Sequence, residues 1–416
     1  MLLENQRCHL RIAKQLPLAI FYFALASLTL SICQSDIYAA TYAFRFFHNA
    51  HAPPVGGQPI VDSFYTNLSE NGKTVGYLSF PGQSQQTSIY DPASGHTLLG
   101  VSRTDFWVVY RQYRINNAGS VIWNEYDVDN NVVPYLYVNG NVTSPNLGEG
   151  HYGLVDINNQ GHILGTFNRG TYGDPSFAYG NFLYDGNQVT ELPGIDGLDL
   201  YPIGMSSTGL ALFESYDLVD YNFQGIKLYR AGTSDYVTLE SPSAGGNYVG
   251  VSSAKVTANG LISAELIDYL VDPNDPYNYQ YLSRRLAFYN SDGTVQSTLA
   301  IPDNYGQLFV NGLGEVLAST SSGKMAILRN NQWSTLLGTN LPQNATIGEI
   351  TGFNSDGVII GTMYGLRGVP SYQSIGFYAT EVPEPASLLV FGGLCVFVGA
   401  HSLNRSRKRV ASGASV

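Results

Sequence analysis

INNAGSVIWNEY occupies residues 115–126, and INNQGHILGTFN occupies residues 157–168. Each stretch runs from polar residues to a glycine and then into an apolar segment. Asparagine favours tight turns and glycine accepts the positive φ that closes them, so each stretch predicts two strands joined by a turn. The apolar residues do not follow the helical period, and the pattern therefore predicts a fold built from strands.

Five further segments repeat this pattern, and their turn glycines are Gly72, Gly209, Gly260, Gly314 and Gly357. A weaker second hairpin follows most of them, for example FLYDGNQVTELPG from Phe182. Two hairpins in each period of roughly 40 to 50 residues make one four-stranded blade of a β-propeller. The sequence therefore predicts an all-β, seven-bladed β-propeller, with an open β-solenoid or two separate β-domains as alternatives.

The two ends of the repeat array are complementary. After the last glycine hairpin only IGFYAT, residues 375–380, remains before the tail, so this unit lacks a fourth strand. TYAFRFF, residues 41–47, is a predicted strand without a partner hairpin. Pairing these two segments would complete the last blade and remove open sheet edges that favour aggregation. We therefore expect the strand at residues 42–47 to lie beside the strand at residues 376–380.

The INNAG and INNQG units resemble the HAF-type repeats of bacterial extracellular proteins. This resemblance implies an extracellular repeat protein, which agrees with the two ends of the chain.

The first 39 residues have the order of a secretory signal peptide. The positive charges of its first part are Arg7, Arg11 and Lys14. Residues 16–32 are apolar, and Ala39 ends a plausible cleavage site. An uncleaved anchor is one alternative. Lipidation at Cys33 is another, which the bulky Ile32 before it disfavours.

The C-terminal residues combine three features in a fixed order. The first is an extended motif, formed by Val382, Pro383, Glu384, Pro385, Ala386 and Ser387. Residues 388–400 are then uncharged and apolar, which predicts a single short transmembrane helix. The last feature is a basic stop that should stay on the cytoplasmic side, formed by Arg405, Arg407, Lys408 and Arg409.

This order resembles the PEP-CTERM sorting signal of bacterial surface proteins. The resemblance covers residues 382–409 and implies that an exosortase processes the chain; the extra residues 410–416 depart from the pattern. The predicted organisation is a signal peptide (1–39), a repeat ectodomain (40–381), the sorting signal (382–409) and a short tail (410–416). The predicted export partners are the secretion translocon and signal peptidase.

Charge and cysteine content limit the partners of the ectodomain. The whole chain has a formal net charge of −11. Between residues 40 and 381, acidic residues outnumber basic ones by 29 to 14. An acidic surface excludes nucleic acid and anionic lipid as expected partners. The three cysteines, Cys8, Cys33 and Cys395, all lie outside residues 40–381. The ectodomain therefore cannot use disulfides or a cysteine metal site.

Three kinds of candidate binding residue stand out. Tyr277, Tyr279 and Tyr281 alternate along one segment, so they would share one face of a strand, where exposed rings could stack on sugars. The opposing interpretation is that tyrosine simply suits half-buried sheet faces. Asp272, Asn274 and Asp275 in the acidic loop 268–275 are weak candidates for Ca²⁺, as is the cluster at residues 127–131, which is not an EF-hand. The asparagines before the turn glycines are interpreted as turn formers rather than ligand contacts.

Catalytic motifs are absent from the sequence. It contains no nucleophile elbow, P-loop, dinucleotide fingerprint or zinc-protease spacing, and the histidines His48, His51, His151 and His162 lack partners at fixed spacing. We therefore expect no catalytic residues, no metal site and no cofactor, with Ca²⁺ as the weak exception. A pair of carboxylates brought together by the fold is the alternative that would make a glycan hydrolase or lyase.

These observations favour an exported protein with a non-catalytic binding or structural role at the cell surface or in the exopolysaccharide matrix of a biofilm. The expected location is an inner-membrane-anchored precursor that later reaches the cell surface or extracellular matrix. The alternative is a secreted propeller enzyme acting on glycans.

Overall fold

The computed structural model describes residues 41–382, except 48–54, 56–59, 61, 82–84, 103–112, 128–130, 171–177, 244, 247, 273–274, 321–322, 340–344 and 366–374. The secondary structure of these residues is entirely β-strand and turn. None of them belongs to a helix long and apolar enough to cross a membrane. The predicted signal peptide, its cleavage site at Ala39, and the sorting motif, helix and basic stop after Val382 lie outside the described residues.

The strands of the first half are β1 (Thr41–Phe46), β2 (Asp62–Leu68), β3 (Thr74–Ser79), β4 (Gln86–Asp91), β5 (Gly95–Ser102), β6 (Arg114–Ile115), β7 (Val121–Tyr126), β8 (Val132–Val138), β9 (Asn141–Thr143), β10 (His151–Ile157), β11 (Ile163–Arg169), β12 (Ala178–Tyr184), β13 (Val189–Glu191), β14 (Leu198–Met205) and β15 (Leu210–Asp217). Those of the second half are β16 (Phe223–Arg230), β17 (Tyr236–Thr238), β18 (Tyr248–Val256), β19 (Ile262–Asp272), β20 (Asp275–Tyr289), β21 (Val295–Ala300), β22 (Tyr305–Val310), β23 (Val316–Thr320), β24 (Met325–Arg329), β25 (Gln332–Thr335), β26 (Leu337–Thr339), β27 (Thr346–Phe353), β28 (Ile359–Tyr364) and β29 (Ile375–Glu381).

The strands form antiparallel meanders of four. Five separate sheets consist of β6–β9, β10–β13, β14–β17, β18–β21 and β22–β25. β2–β5 form another meander, and β27, β28, β29 and β1 form a further one. These last two belong to one nine-stranded sheet, because Ser63 of β2 pairs with Ile375 of β29 and β26 runs parallel to β1.

The N-terminal strand completes the last meander. β1 pairs with β29 in antiparallel register, from Tyr42 opposite Glu381 to Phe46 opposite Phe377. The predicted pairing of the two chain ends is therefore confirmed. Arg329 of β24 strengthens the junction, because its Nη1 lies 2.7 Å from a carboxylate oxygen of Glu381.

Hydrophobic clusters fill the spaces between successive sheets. Val75 and Trp123 belong to a cluster between the first two meanders, and Leu164 and Phe213 belong to one between β10–β13 and β14–β17. Another cluster packs Tyr378 of the last meander against β2–β4 of the first. The sheets therefore form a closed ring stabilised by face-to-face packing, which is the arrangement of a β-propeller.

Hydrogen bonds between turns also link neighbouring sheets. The side-chain oxygen of Asn116 accepts from the backbone N–H of Ser120, 2.9 Å away, and closes its own turn. Its Nδ2 donates to the carbonyl of Asn158 in the next sheet, also at 2.9 Å. Asn158 donates to the carbonyl of Ser206 at 3.3 Å. Asn354 donates to the carbonyl of Ser69 at 3.0 Å and connects the last sheet to the first.

The asparagines are therefore turn formers, as predicted, and they join one sheet to the next as well. Asn116, Asn158, Asn311 and Asn354 are all buried. The turn glycines adopt the positive φ that the sequence predicted, with 85° at Gly119 and 84° at Gly161.

Candidate functional site

The ring has two chemically different sides. The first strand of every meander ends at a polar turn, so all of these turns lie on one side, which we call the turn side. The first residue of each turn, called the turn residue, accepts the backbone N–H of the turn glycine; the seven are Ser69, Asn116, Asn158, Ser206, Thr257, Asn311 and Asn354. The connections between second and third strands, and those that enter each first strand, lie on the other side. We call that other side the tyrosine edge, because exposed tyrosines collect there.

The tyrosine edge is concentrated on three successive sheets. Its exposed members on these sheets are Tyr179, Tyr201, Tyr221, Tyr248, Tyr279 and Tyr281, and Tyr364 is exposed on the same side at the end of β28. Tyr248 begins β18, and Tyr279 and Tyr281 lie in the first half of β20, so all three are at the same end of one sheet. Tyr221 and Tyr279 are the most open, with 64% of each side chain exposed.

Ring contacts hold part of this surface in place. The ring of Tyr269 lies 5.5 Å from that of Tyr279, 6.4 Å from that of Tyr281 and 6.2 Å from that of Tyr248, measured between centroids. In the neighbouring sheet, the rings of Tyr201 and Tyr216 meet edge to face at 5.6 Å. Such contacts restrict the rings before any ligand arrives, which lowers the entropic cost of binding.

Carboxylates accompany the tyrosines. The hydroxyl of Tyr281 donates to Oδ1 of Asp303 at 2.9 Å, and the hydroxyl of Tyr216 donates to Glu214 at 3.0 Å. A hydrogen bond to Asp199, together with burial, raises the pKa of Tyr201 to about 12. Aromatic faces beside hydrogen-bond acceptors form a surface suited to sugars, whose rings have apolar C–H faces and hydroxyl edges.

The predicted binding residues on this edge have different outcomes. Tyr279 and Tyr281 are exposed on β20, as the stacking interpretation requires, whereas the side chain of Tyr277 lies outside the described part. The opposing interpretation also holds for part of the chain, because tyrosines such as Tyr42, Tyr65 and Tyr113 are fully buried in the core. Tyrosine therefore serves both purposes in this fold.

The prediction of an acidic loop at 268–275 was wrong in its extent. Residues 268–272 belong to β19, and Asp268 is buried in an ion pair with Arg285, whose Nε lies 2.8 Å from its carboxylate. Of the weak Ca²⁺ candidates, Asp272 and Asp275 are paired across the end of the β19–β20 hairpin, and Asn274 lies outside the described residues. In the cluster at 127–131, Asp127 accepts the backbone N–H of Asn131 at 2.8 Å and closes a turn.

Groups of three or more histidine, cysteine, aspartate or glutamate residues that could hold a metal are absent from the described part of the chain. His162 follows the turn glycine Gly161, where its backbone N–H is bonded to Asn158, and His151 is exposed at the start of β10. His48 and His51 lie outside the described residues.

A central cavity of about 360 Å³ lies near the turn side of the ring. Its walls are the last residues of each first strand. One layer of the wall consists of the residue two positions before each turn residue: Asn67, Arg114, Asp156, Gly204, Lys255, Phe309 and Gly352. Arg114, Asp156 and Lys255 are the charged members of this layer.

The charges in this layer are unevenly paired. Nε of Arg114 is 3.8 Å from Oδ1 of Asp156, a long ion pair. Asp156 also accepts backbone N–H bonds from Met205 at 2.7 Å and from Ile157 at 2.9 Å. Burial raises the pKa of Asp156 despite these contacts. Burial and, to a smaller extent, the nearby Arg114 lower the pKa of Lys255 to about 8.

The repeat motifs do not predict this layer. Each motif begins at its polar turn residues, and the charged residues stand just before them, in only three of the repeats. Aligning the repeats on the residue two positions before each turn residue would have found Arg114, Asp156 and Lys255 as equivalent positions.

Comparisons with known proteins show resemblance of shape only. No family model matches the chain, and no curated protein matches it. Among solved structures, the polysaccharide lyase Uly1 aligns with 81% of this chain and 92% of its own, at 9% identity and a TM-score of 0.47. The β-propeller domain of the Trilobed protease from Pyrococcus furiosus aligns with 78% of this chain and 97% of its own, at 10% identity and a TM-score of 0.46. The Aleuria aurantia lectin aligns with 74% of this chain and 98% of its own, at 9% identity and a TM-score of 0.32.

Proposed function

We propose that this chain is an exported, surface-sorted bacterial protein that binds polysaccharide through the tyrosine edge without catalysing a reaction on it. The observation that carries the proposal is the concentration of exposed tyrosines, with carboxylates beside them, on one side of three successive sheets. A tyrosine that only fills a sheet face is buried or half-buried, so its strand propensity does not explain a ring that is mostly exposed.

We infer that the ring is a seven-bladed β-propeller in which each four-stranded meander is one blade. The seven turn glycines of the sequence each follow the first strand of a different meander, which supports this count. Small-angle scattering of the purified ectodomain tests its dimensions, and a diffraction structure counts the blades directly. A ring with six or eight blades would contradict the inference.

The absence of catalysis is part of the proposal. The carboxylates that line the central cavity are engaged, since Glu70 accepts the backbone N–H of Ser355 at 2.8 Å and Asp156 accepts two others. A glycosidase needs one carboxylate available as acid and another as base or nucleophile. This arrangement supports binding over the alternative of a glycan hydrolase or lyase.

The binding test is a glycan array probed with purified residues 40–382. Retention of polysaccharide fragments is expected, and the double variant Tyr279→Ser, Tyr281→Ser should lose roughly tenfold in affinity, which corresponds to ~1.4 kcal/mol. The matched control is Leu313→Ser, because Leu313 is an exposed apolar residue at a turn on the opposite side. Equal binding by the double variant would contradict the role of the tyrosine edge, and release of shortened glycans would favour the enzyme.

The sorting part of the proposal concerns the residues after the last strand. The backbone N–H of Val382 donates to the carbonyl of Thr41 at 2.7 Å, which ties Val382 to the closing strand β1, and Pro383 is the next residue in the sequence. A protease that recognises the Pro-Glu-Pro segment would therefore cut the chain after the closing strand pair. In a host with a matching exosortase, mass spectrometry should find surface protein that lacks the residues after this motif. Replacing Pro383, Glu384 and Pro385 by alanine should keep the full-length chain in the membrane, and an exported form ending at Val416 would contradict exosortase processing.

A further inference from the structure

The central cavity is lined by two cations, Arg114 and Lys255, and by two carboxylates, Glu70 and Asp156, both of which bond to other groups. Among the described residues, no carboxylate lies within ion-pair distance of Lys255; its Nζ is 3.5 Å from the carbonyl of Leu308 and 3.9 Å from the ring centroid of Phe309. The carboxylate that counteracts the lowered pKa of Lys255 is that of Glu265, which forms its own ion pair with Arg284. An ammonium group has three N–H donors, so Lys255 has donors left for a ligand in the cavity.

Arg114 adds a second cation to the same layer. Nη1 of Arg114 donates to the carbonyl of Tyr113 at 3.0 Å, and its Nε faces Asp156 at the long distance of 3.8 Å. A guanidinium has five N–H donors, so these contacts leave donors available. Asp156 offsets one positive charge of the layer, and the other has no counter-ion in it.

A neutral donor in the cavity wall is also unused. The hydroxyl oxygen of Thr66 is buried and has no hydrogen-bond partner among the described residues. Thr66 lines the same cavity as Arg114 and Lys255. A buried hydroxyl without a partner costs free energy, and rotation of the Thr66 side chain toward the cavity would let a polar ligand recover it.

We propose that the central cavity binds a carboxylate-bearing sugar unit, a uronate, with its carboxylate between Lys255 and Arg114. The cavity of about 360 Å³ is much larger than an inorganic ion and lies in the size range of small-molecule sites. Apolar wall residues such as Phe309 and Ile203 offer surface to a sugar ring, and Thr66 and Asn67 offer polar contacts to its hydroxyls. A free uronate and the uronate end of a chain carry the same group, and the experiment below distinguishes them.

The site is independent of the tyrosine edge. It lies near the turn side, where Asn117 and Asn159 at its rim are only half-buried, so a ligand can reach it from that side. An experiment that finds no binding at one site therefore does not count against the other site.

The test is calorimetric titration of residues 40–382 with glucuronate, glucose and inorganic phosphate at pH 7. Glucuronate should bind at least about tenfold more tightly than the other two, because only it combines the charge with the ring. The variant Lys255→Met should lose about tenfold or more in glucuronate affinity, and Thr66→Val should lose less. The control Tyr279→Ser should bind glucuronate as the wild type does, and melting curves establish that each variant is folded. A trimer of glucuronate, titrated in parallel, shows whether a chain end is preferred to the free sugar.

The pH dependence provides a second measurement. Affinity should fall as pH rises above about 8, because Lys255 loses its proton there. The other charged groups near Lys255 are Arg114, Asp156, Glu70 and Glu265. Equal affinities for glucuronate and glucose, phosphate binding as tight as glucuronate binding, or affinity unchanged by Lys255→Met would overturn the proposal.

Discussion

At the scale of the residue, the buried asparagine that begins four of the turns does two separable things; the four are Asn116, Asn158, Asn311 and Asn354. Its oxygen closes the turn, a function that Ser206 also performs by accepting the backbone N–H of Leu210 at 3.0 Å. Its Nδ2 reaches the next sheet, which a serine cannot do. The sequence shows the first function because the contact is local. The second is a contact between repeats, and no local pattern reports it.

Asn158 allows these two contributions to be measured separately. Asn158→Ser should keep the turn and lose the bond to the carbonyl of Ser206, which costs about 1 kcal/mol of unfolding free energy. Asn158→Ala should lose both functions and cost roughly twice as much. Urea denaturation of residues 40–382 measures these differences, with the exposed Asn141→Ser as the control. Equal losses for the serine and alanine variants would mean that the turn bond contributes nothing.

His96 is predicted to make the fold sensitive to acid. Its Nδ1 lies 3.0 Å from the hydroxyl of Tyr65, its ring packs against Phe47 and Tyr90, and burial lowers its pKa to about 4. An unfolded histidine titrates near ~6.5, so between these two values the unfolded chain binds more protons than the folded one. Stability should therefore fall as pH drops from about 6.5 to about 4, by up to roughly 3 kcal/mol.

The variant His96→Gln isolates this effect, because glutamine can still bond to Tyr65 but does not titrate. The raised pKa values of Asp62 and Asp156 act in the opposite direction and are common to both proteins, so they cancel in the difference. Denaturation at pH 7, 5.5 and 4.5 should show a gap between wild type and variant that changes with pH. Parallel curves would show that His96 is protonated equally in both states.

At the scale of the element, the β19–β20 hairpin shows where reading the sequence fails. Aspartate is depleted in strands, so Asp268 was interpreted as part of a loop. In the fold it is buried in β19, where Arg285 of β20 contacts it through both Nε at 2.8 Å and Nη2 at 3.1 Å. A charge that is acceptable only because of a cross-strand partner cannot be recognised from local composition.

This buried pair gives the prediction for the hairpin. Arg285→Met should leave the carboxylate of Asp268 buried without its cation and cost roughly 3–5 kcal/mol. The double variant Asp268→Leu, Arg285→Met should recover a large part of that loss, because an apolar pair needs no counter-charge. Thermal and urea unfolding of the wild type and these two variants measure the loss and its recovery. A double variant that is less stable than Arg285→Met would show that the pair is needed for more than mutual neutralisation.

At the scale of the whole molecule, the sequence contains the repeat and the closure but not the contents of the central cavity. The glycine hairpins are local, and the missing fourth strand and the unpartnered N-terminal strand are complementary, so the pairing of β1 with β29 could be predicted. The cavity depends on which residues of distant repeats meet at the centre. Arg114, Asp156 and Lys255 become neighbours only when the ring closes.

Closure of the ring gives the last prediction. Deleting residues 41–47 removes β1, whose Phe44 and Phe46 are buried in the cluster between the last two sheets, and it exposes an edge of β29. Loss of these two rings alone should cost several kcal/mol, since each Phe→Ala in a core costs about 3–5 kcal/mol. Aggregation should follow because an unpaired edge recruits other strands.

Placing residues 41–47 after Val382 through an Asn-Gly turn, in a chain that starts at His48, tests closure itself. Thr41 and Glu381 lie at the same end of the antiparallel pair, so a short hairpin connection can restore β1 to its position. The permuted protein should regain most of the lost stability and remain monomeric by light scattering. If it aggregates as the deletion does, the closing strand needs its native connection to β2, and the pairing of chain ends is not sufficient to hold the ring.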